Sequence, residues 1–517
     1  MSTASTERED QERRTRSPGT ARPSGRRPSA RRPMPVVGVV LVAAAGALVS
    51  VGCFLGLYLR PTSDDWCAAW KSRDLGVLGI TADFYRTQNG RITNAFLSGI
   101  IYGDGLAGVK ILPSVIAVTF TVGLVLLGCR FVRFLGARPP VMIVAACALA
   151  VQALLYYAGT RSYQVLLWAP AAISHTIPSV IGVWALLLAF WTVRQPRAPV
   201  RAAGFAAAFL IGFGLGTLSE PFALVSGLLA AGAGLLALPR LRLARTWHPF
   251  TWCALWCGGL VCGLIVLYTS PGARWRRAQQ PPRDSVLSAG ELKGAYQDWL
   301  HMWDAVTGQW AYLGAAAVGV LLGLAANRRT RSPAAGWRPG VPRAVQTAVL
   351  LLPVPVVVLG SFAVVLGLRS GYGPTGWTYA RTWTNYLVPM ELALCAYGAL
   401  LGEWAGRRPD RRPDRRPAAA LAGPAAVVAA GGLALAALAV LVPNVQQLTT
   451  ATVTRAAAWD AQNSRIRTEA AHGATDVGYR PLHIGSLAEP FFTSAYPRDW
   501  VAACVSKWYD VDRIHRL

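Results

Sequence analysis

Asp64 and Asp65 stand side by side in LRPTSDDWCAAWKSRD, immediately past an apolar run and just before two tryptophans, Trp66 and Trp70. Neighbouring carboxylates can divide acid–base work, one taking a proton while the other tunes it or holds a hard cation. Other polar residues mark the ends of later apolar runs and can share a site with the pair. They are Arg91 in YRTQNGR, Arg161 in GTRSYQ, His175 in LLWAPAAISHTIP and Glu220 in TLSEPF. Further along come Arg274, Arg276 and Arg277 in YTSPGARWRR, then Tyr379 and Arg381 in GYGPTGWTYARTW. Arginine forks bind phosphate, and a carboxylate takes a hydroxyl's proton. The set therefore suits a lipid-linked phosphate and a hydroxyl acceptor meeting at a membrane boundary. Plainer roles exist for each residue. An Asp-Asp at a helix exit also serves as a solvated cap, interfacial arginines snorkel to lipid phosphates, and His175 suits a satisfied polar position at a helix start. Glu220 fits such a role least, because a carboxylate in a tight turn at the membrane edge is costly unless paired.

The elements that must position these residues are apolar helices. Of 517 residues 53% are hydrophobic and 15% charged, and the mean hydropathy is +0.36. The apolar residues fall in blocks of the length that crosses a bilayer core at a helical rise. The fold class expected is an all-α polytopic membrane protein with about 11 transmembrane helices. The spans lie near 35–58, 109–128, 140–158, 176–193, 202–218, 221–239, 250–269, 311–326, 344–368, 384–405 and 418–442. The run at 311–326 is short, and 202–239 turns on Ser219-Glu220-Pro221. The apolar run at 35–58 is too long for a removed signal peptide and no small-residue cleavage site follows it.

Charge sets the orientation. The net charge of +26 concentrates in the N-terminal tail and alternate connections, which hold 29 arginines against seven acidic residues. That asymmetry is the positive-inside bias, so it reads as topology and contact with membrane lipid headgroups, with no nucleic-acid partner. The N-terminus is expected in the cytoplasm and the C-terminus outside. Residues 1–34, rich in Arg, Pro and Ser, are expected to be a disordered cytoplasmic tail, and GRRPDRRPDRRP a solvated linker. The transmembrane domain spans 35–442, with outer loops 59–108, 159–175, 270–310 and 369–383, and an extracytoplasmic C-terminal segment, 443–517. These long connections place any chemistry outside, beyond the reach of ATP, and no Walker-type glycine loop is present. The first outer loop reads as one or two interfacial amphipathic helices broken at Asn89-Gly90, a turn that presents Arg91 to the aspartate pair.

These motifs, in this order, resemble GT-C-type glycosyltransferases, polytopic enzymes that use polyprenyl-phosphate sugars, and in particular a bacterial multi-pass branch grouped with them. The resembling stretches are SDDW at 63–66, YRTQNGR at 85–91, LWAPAAISHTIP at 167–178, LSEP at 218–221, SPGARWR at 270–276 and DWVAACVSKWYDV at 499–511. Two positions depart from the branch: His175 stands where tyrosine is common, and Ala273 where asparagine often follows Pro-Gly. The resemblance implies a GT-C-like fold and transfer of a hexosyl or pentosyl unit from a polyprenyl-phosphate-linked sugar to a cell-envelope glycan or protein acceptor. By that analogy Asp65 is the base, Asp64 its partner or a metal ligand, and Glu220 a further acid of the site. Arg91, Arg276 and Arg381 clamp phosphate beside His175, and a divalent metal is an option some such enzymes do without. A transporter or flippase for a lipid-linked sugar, or a non-catalytic envelope protein, is the alternative. No internal repeat supports a carrier, and the charged residues gather at span ends rather than mid-membrane.

Nine cysteines complete the inventory, seven of them within or at the ends of spans, where a thiol packs as a small apolar group. Cys253, Cys257 and Cys262 match no zinc spacing. Only Cys67 and Cys504 fall in outer segments, where an oxidising compartment favours a disulfide between them. Such a bond closes a very long loop, worth roughly 4–5 kcal/mol on chain-entropy grounds, and fixes the strip that carries the aspartates.

Overall fold

The computed structural model describes residues 33–134, 136–279, 285–327, 340–406, 418–484, 489 and 499–517. The expected tail, except residues 33–34, and the basic stretches 328–339 and 407–417 lie outside the described residues, as do 485–488 and 490–498 of the C-terminal segment.

The chain opens with α1 (Pro33–Gly56), apolar throughout. Next come α2 (Asp64–Thr87) and α3 (Ile92–Tyr102), then the long α4 (Ala107–Phe134) and α5 (Val141–Tyr157). Two short turns, α6 (Tyr163–Leu166) and α7 (Ala169–Ala171), lead through a π-helical turn at Ala172–Thr176 into α8 (Ile177–Thr192). α9 (Ala198–Gly216), α10 (Glu220–Leu236) and α11 (His248–Thr269) follow, then α12 (Pro271–Ala278), α13 (Ala289–Thr307) and α14 (Leu313–Asn327). The remaining helices are α15 (Arg343–Leu351), α16 (Pro353–Tyr372), α17 (Thr384–Gly406), α18 (Ala418–Ala439), α19 (Val442–Ala471) and α20 (Trp500–Tyr509). Among the described residues seven helices are long and apolar enough to cross a membrane, or eight if the bent pair α13–α14 is counted as one span. The chain is an all-α polytopic membrane protein.

Three features depart from the sequence expectation. The connection between α1 and α4 folds back on itself at Gly76, whose φ of 67° breaks the helix within α2. Lys71 and Asp83 on either side of that break pair at 2.5 Å, whereas twelve residues of straight helix would hold them about 18 Å apart. Second, the short run at 311–326 is the second half of a broken element. α13 meets α14 at 67°, and it packs along α16 through Trp299 Nε1, which donates to Ser361 Oγ at 2.9 Å. Third, the C-terminal segment carries a small sheet. β1 (Asp476–Tyr479) pairs parallel with β2 (Arg513–Arg516), and α20 supplies the crossover between them.

The spans pack through small residues, as expected where lipid offers no hydrophobic drive and close backbone approach supplies the contact. α14 and α17 approach so closely that a Cβ on Gly319 would lie 2.1 Å from the Cys395 carbonyl. The β1–α20–β2 unit has its own core of Trp459, Ile466, Val477, Tyr479, Val505 and Ile514, and Trp66 of α2 stands fully buried in it.

Candidate functional site

Three buried residues, Pro61, Thr62 and Ser63, lead into α2. Ser63 adopts φ 52°, a conformation uncommon outside glycine, and its hydroxyl does not cap the helix. Strain of this kind costs about 1–3 kcal/mol and persists where surrounding contacts hold it. It sends the two carboxylates into different surroundings.

Asp65 is buried. Its Oδ2 accepts the Thr62 N–H at 2.9 Å, and its Oδ1 accepts the Tyr102 hydroxyl. Burial pushes its carboxyl up to about 7, against the pull of the Tyr102 and Thr62 hydrogen bonds and with a further push from Asp64. Asp64 keeps access to solvent but is surrounded by protein, and this raises its carboxyl; Arg381, Arg276 and Arg91, in that order, draw it back. All three predicted phosphate-binding arginines thus lie within electrostatic reach of Asp64.

Glycine brings Arg91 there. Gly90 has φ 74°, and a Cβ on it would fall 2.2 Å from Ser270 Oγ and 2.5 Å from the Leu267 carbonyl. Gly272 answers from the other side, where a Cβ would sit 2.5 Å from Gln88 N. The QNG turn and the SPG turn therefore interlock backbone to backbone, which only glycine permits. Arg91 then pairs with Glu220 at 2.7 Å. Glu220 opens α10 behind Ser219, whose hydroxyl caps the helix by accepting the Phe222 N–H. Burial opposes the charge on Arg91, but Glu220 together with Tyr372 and Tyr268 outweighs it, leaving the guanidinium above its ordinary value. Arg276 lies on α12 just past the SPG turn, exposed, and enters no ion pair among the described residues.

Arg381 stacks over the Tyr379 ring at 4.6 Å and the Trp168 ring at 5.2 Å; burial lowers its proton affinity. It too enters no ion pair among the described residues. His175 sits buried in the π-helical turn, 3.3 Å from Asn385 Nδ2 through its Nδ1. π turns inside helices frequently mark functional positions. The next residue back, Ser174, accepts from Asn94 Nδ2 at 2.9 Å, tying this turn to α3. Arg161 is half-buried and Arg274 exposed.

The C-terminal unit clamps the strip before α2. Cys67 and Cys504 are joined by a disulfide, with Cα atoms 4.9 Å apart. Arg60 forks onto Asp460 at 2.6 and 2.7 Å. Arg455 donates to the carbonyls of Arg60 and Pro61 at 3.0 and 2.7 Å and meets Glu489 at 3.3 Å. The strained Thr62–Ser63 backbone is thereby fixed from outside.

Sequence reasoning passed over Tyr102, Asn385 and Arg455, none of which carries a motif of its own, and quoted Trp168 within LWAPAAISHTIP without giving it a role. It also passed over Glu391, whose signal was visible as an acid within LVPMELALCAYG. Glu391 is fully buried in α17 with neither oxygen hydrogen-bonded. It lies seven residues, about 10 Å, from the helix start, so the expectation that charge stays at span ends does not hold there.

The donor set does not fit a protein-held divalent ion. Asp65 is committed to Tyr102 and Thr62, Asp64 faces guanidinium groups, and no cluster of three His, Cys, Asp or Glu forms among the described residues. Compared with protein-family models, curated proteins and solved structures, the chain has no match.

Proposed function

We propose that the chain is a membrane glycosyltransferase of GT-C type, with eleven spans, that moves a sugar from polyprenyl phosphate to an extracytoplasmic acceptor. The observation that carries this reading is the divided aspartate pair. One carboxyl is poised near neutrality, and the other lies among three arginines, two of which have no ion-pair partner among the described residues. Eleven spans put the ends that carry these residues on one face with the disulfide, which suits an oxidising exterior and a cytoplasmic N-terminus.

In this mechanism Arg276 and Arg381, with Arg91 held by Glu220, bind the donor phosphate, and stacking on Trp168 and Tyr379 keeps Arg381 oriented. Asp65 accepts the proton of the acceptor hydroxyl, its value near 7 matching the base to a neutral exterior. The oxygen attacks the anomeric carbon, the carbon–phosphate-oxygen bond breaks, and polyprenyl phosphate leaves with the electron pair, inverting the centre. Tyr102 and Thr62 orient the carboxylate; His175 and Asn385 line the sugar side. No step runs through a metal.

The test is complementation of a deletion strain, read as envelope glycan composition. Wild type restores the missing sugar, whereas Asp65→Asn and the pair Arg276→Gln/Arg381→Gln do not, although each is made and carries the oxidised Cys67–Cys504 bond. Full restoration by Asp65→Asn removes the base from the scheme. A carrier of lipid-linked sugar is the second reading, and Glu391 favours it, since carriers place acids within the membrane. Loss of function on Glu391→Gln with Asp65→Asn fully active selects that reading.

A further inference from the structure

Three consecutive polar residues of the π-helical turn at Ala172–Thr176 attach it to three different elements. The Ser174 hydroxyl accepts from Asn94 of α3 at 2.9 Å and donates to the Pro170 carbonyl at 2.8 Å. The Thr176 hydroxyl donates to the Val165 carbonyl of α6. Between them, His175 Nδ1 lies 3.3 Å from Asn385 Nδ2 at the start of α17. Tied on both sides and 5% exposed, the imidazole is held in place.

Hydrogen bonding then decides where its proton sits. Asn385 Nδ2 also donates to the Thr382 carbonyl at 2.8 Å. Turning the amide over would set its oxygen against that carbonyl, so the amide nitrogen is the atom that meets His175. An amide N–H needs an acceptor, which only an unprotonated Nδ1 supplies. The ring is therefore neutral with its proton on Nε2, since a second proton on Nδ1 would put two donors face to face.

Nε2 itself has no hydrogen-bond partner among the described residues and is not sealed off by the protein. The charged groups within electrostatic reach of the ring are Arg381 and Arg91, two of the three that also act on Asp64. Arg91 is held by Glu220, and Arg381 enters no ion pair among the described residues. A free N–H beside guanidinium groups fits an oxygen anion, whereas an imidazole lone pair there would repel one.

We infer that His175 is an uncharged hydrogen-bond donor to the phosphate of the lipid-linked sugar, and that Asn385 is the positioning residue that keeps its proton on Nε2. His175 is then neither base nor acid in the transfer; it holds the phosphate at its sugar end. The inference rests on the reading that this site takes a lipid-linked sugar phosphate, and the binding itself does not require transfer.

The test uses the full chain in lipid nanodiscs with isotopically labelled histidine nitrogens, geranylgeranyl phosphate as the probe and geranylgeraniol as the comparison. Magic-angle-spinning spectra, with the His175 signals identified by their loss in His175→Gln, should show Nδ1 unprotonated and Nε2 protonated from pH 6 to 9. The phosphate should shift the Nε2 signal, and the alcohol should not. By thermophoresis, His175→Phe should weaken phosphate binding at least tenfold. His175→Gln, whose amide N–H can stand in for Nε2, should weaken it less than threefold. The ratio of wild-type to His175→Phe affinity should stay constant across that pH range. In an Asn385→Asp background the new carboxylate accepts from Nδ1–H, so the same ratio should fall at least tenfold as pH rises and Nε2 loses its proton. The oxidised Cys67–Cys504 bond is the folding control for every variant. A proton on Nδ1 in the wild type, or equal binding by wild type and His175→Phe, overturns the inference. A shift caused as strongly by the alcohol assigns Nε2 to a hydroxyl and overturns it too. The expected binding in a protein that transfers no sugar leaves the donor role standing and sinks the glycosyltransferase reading instead.

Discussion

Replacing Asp65 by Asn should make the protein more stable at alkaline pH and leave its stability little changed in acid. The carboxyl rises from an ordinary 3.8 to about 7 in the folded chain. The folded state therefore binds a proton more tightly than the unfolded one. Its contribution to stability is fully present below 3.8, falls as pH rises through the window, and is lost above 7. The difference is about 3 pH units, or about 4 kcal/mol at 1.36 kcal/mol each, an upper figure for so buried a group. The expected slope is a loss of about 1.4 kcal/mol per pH unit between pH 4 and 7. Asparagine is nearly isosteric and still meets Thr62 N–H and the Tyr102 hydroxyl, yet it cannot ionise. Thermal unfolding of both proteins in detergent from pH 4 to 9, followed by tryptophan fluorescence, isolates the effect, because other titrating groups cancel in the difference between the two curves. The variant should gain on wild type steadily up to pH 7 and hold its lead beyond. A difference independent of pH, or a variant less stable at pH 8 than at pH 5 relative to wild type, would refute the assignment of a raised carboxyl to this position.

The same group sets the pH profile of function: sugar transfer should fall about tenfold per unit below pH 7, and an acid limb near 4 in a transfer assay would contradict it. Gly90→Ala forces a Cβ into Ser270 at a positive φ, costing at least about 1–3 kcal/mol; a melting temperature equal to wild type would mean the QNG and SPG turns do not interlock. Cys67→Ser/Cys504→Ser should lower stability by about 2–4 kcal/mol, and maleimide labelling of denatured wild type without reductant should spare these two thiols; labelling of both denies the bond. A reporter fused after Leu517 should be active only outside the cytoplasm, and cytoplasmic activity would overturn the odd span count.

Much of this protein is written locally. Apolar runs near the thickness of a bilayer become helices because the membrane leaves the backbone no other way to satisfy its hydrogen bonds. Helices α1, α4, α9, α11 and α17 accordingly stand within a few residues of the runs read from sequence. The Asn89-Gly90 break and the pairing of the two cysteines were equally legible, since turn chemistry and redox compartment act on short stretches; the acidic pair, read at the exit of the first apolar helix, instead opens α2. What the sequence could not decide was direction. Whether Asp64 or Asp65 turns towards the arginines depends on the strained Ser63 backbone, and that is held by Arg455 from a helix nearly four hundred residues later. The fold-back at Gly76, the break that joins α13 to α14 and the buried Glu391 are likewise products of packing between distant segments. Pairing of Arg91 with Glu220 exists only once those segments have met, because burial and charge proximity are properties of the assembled chain and not of any single stretch of it.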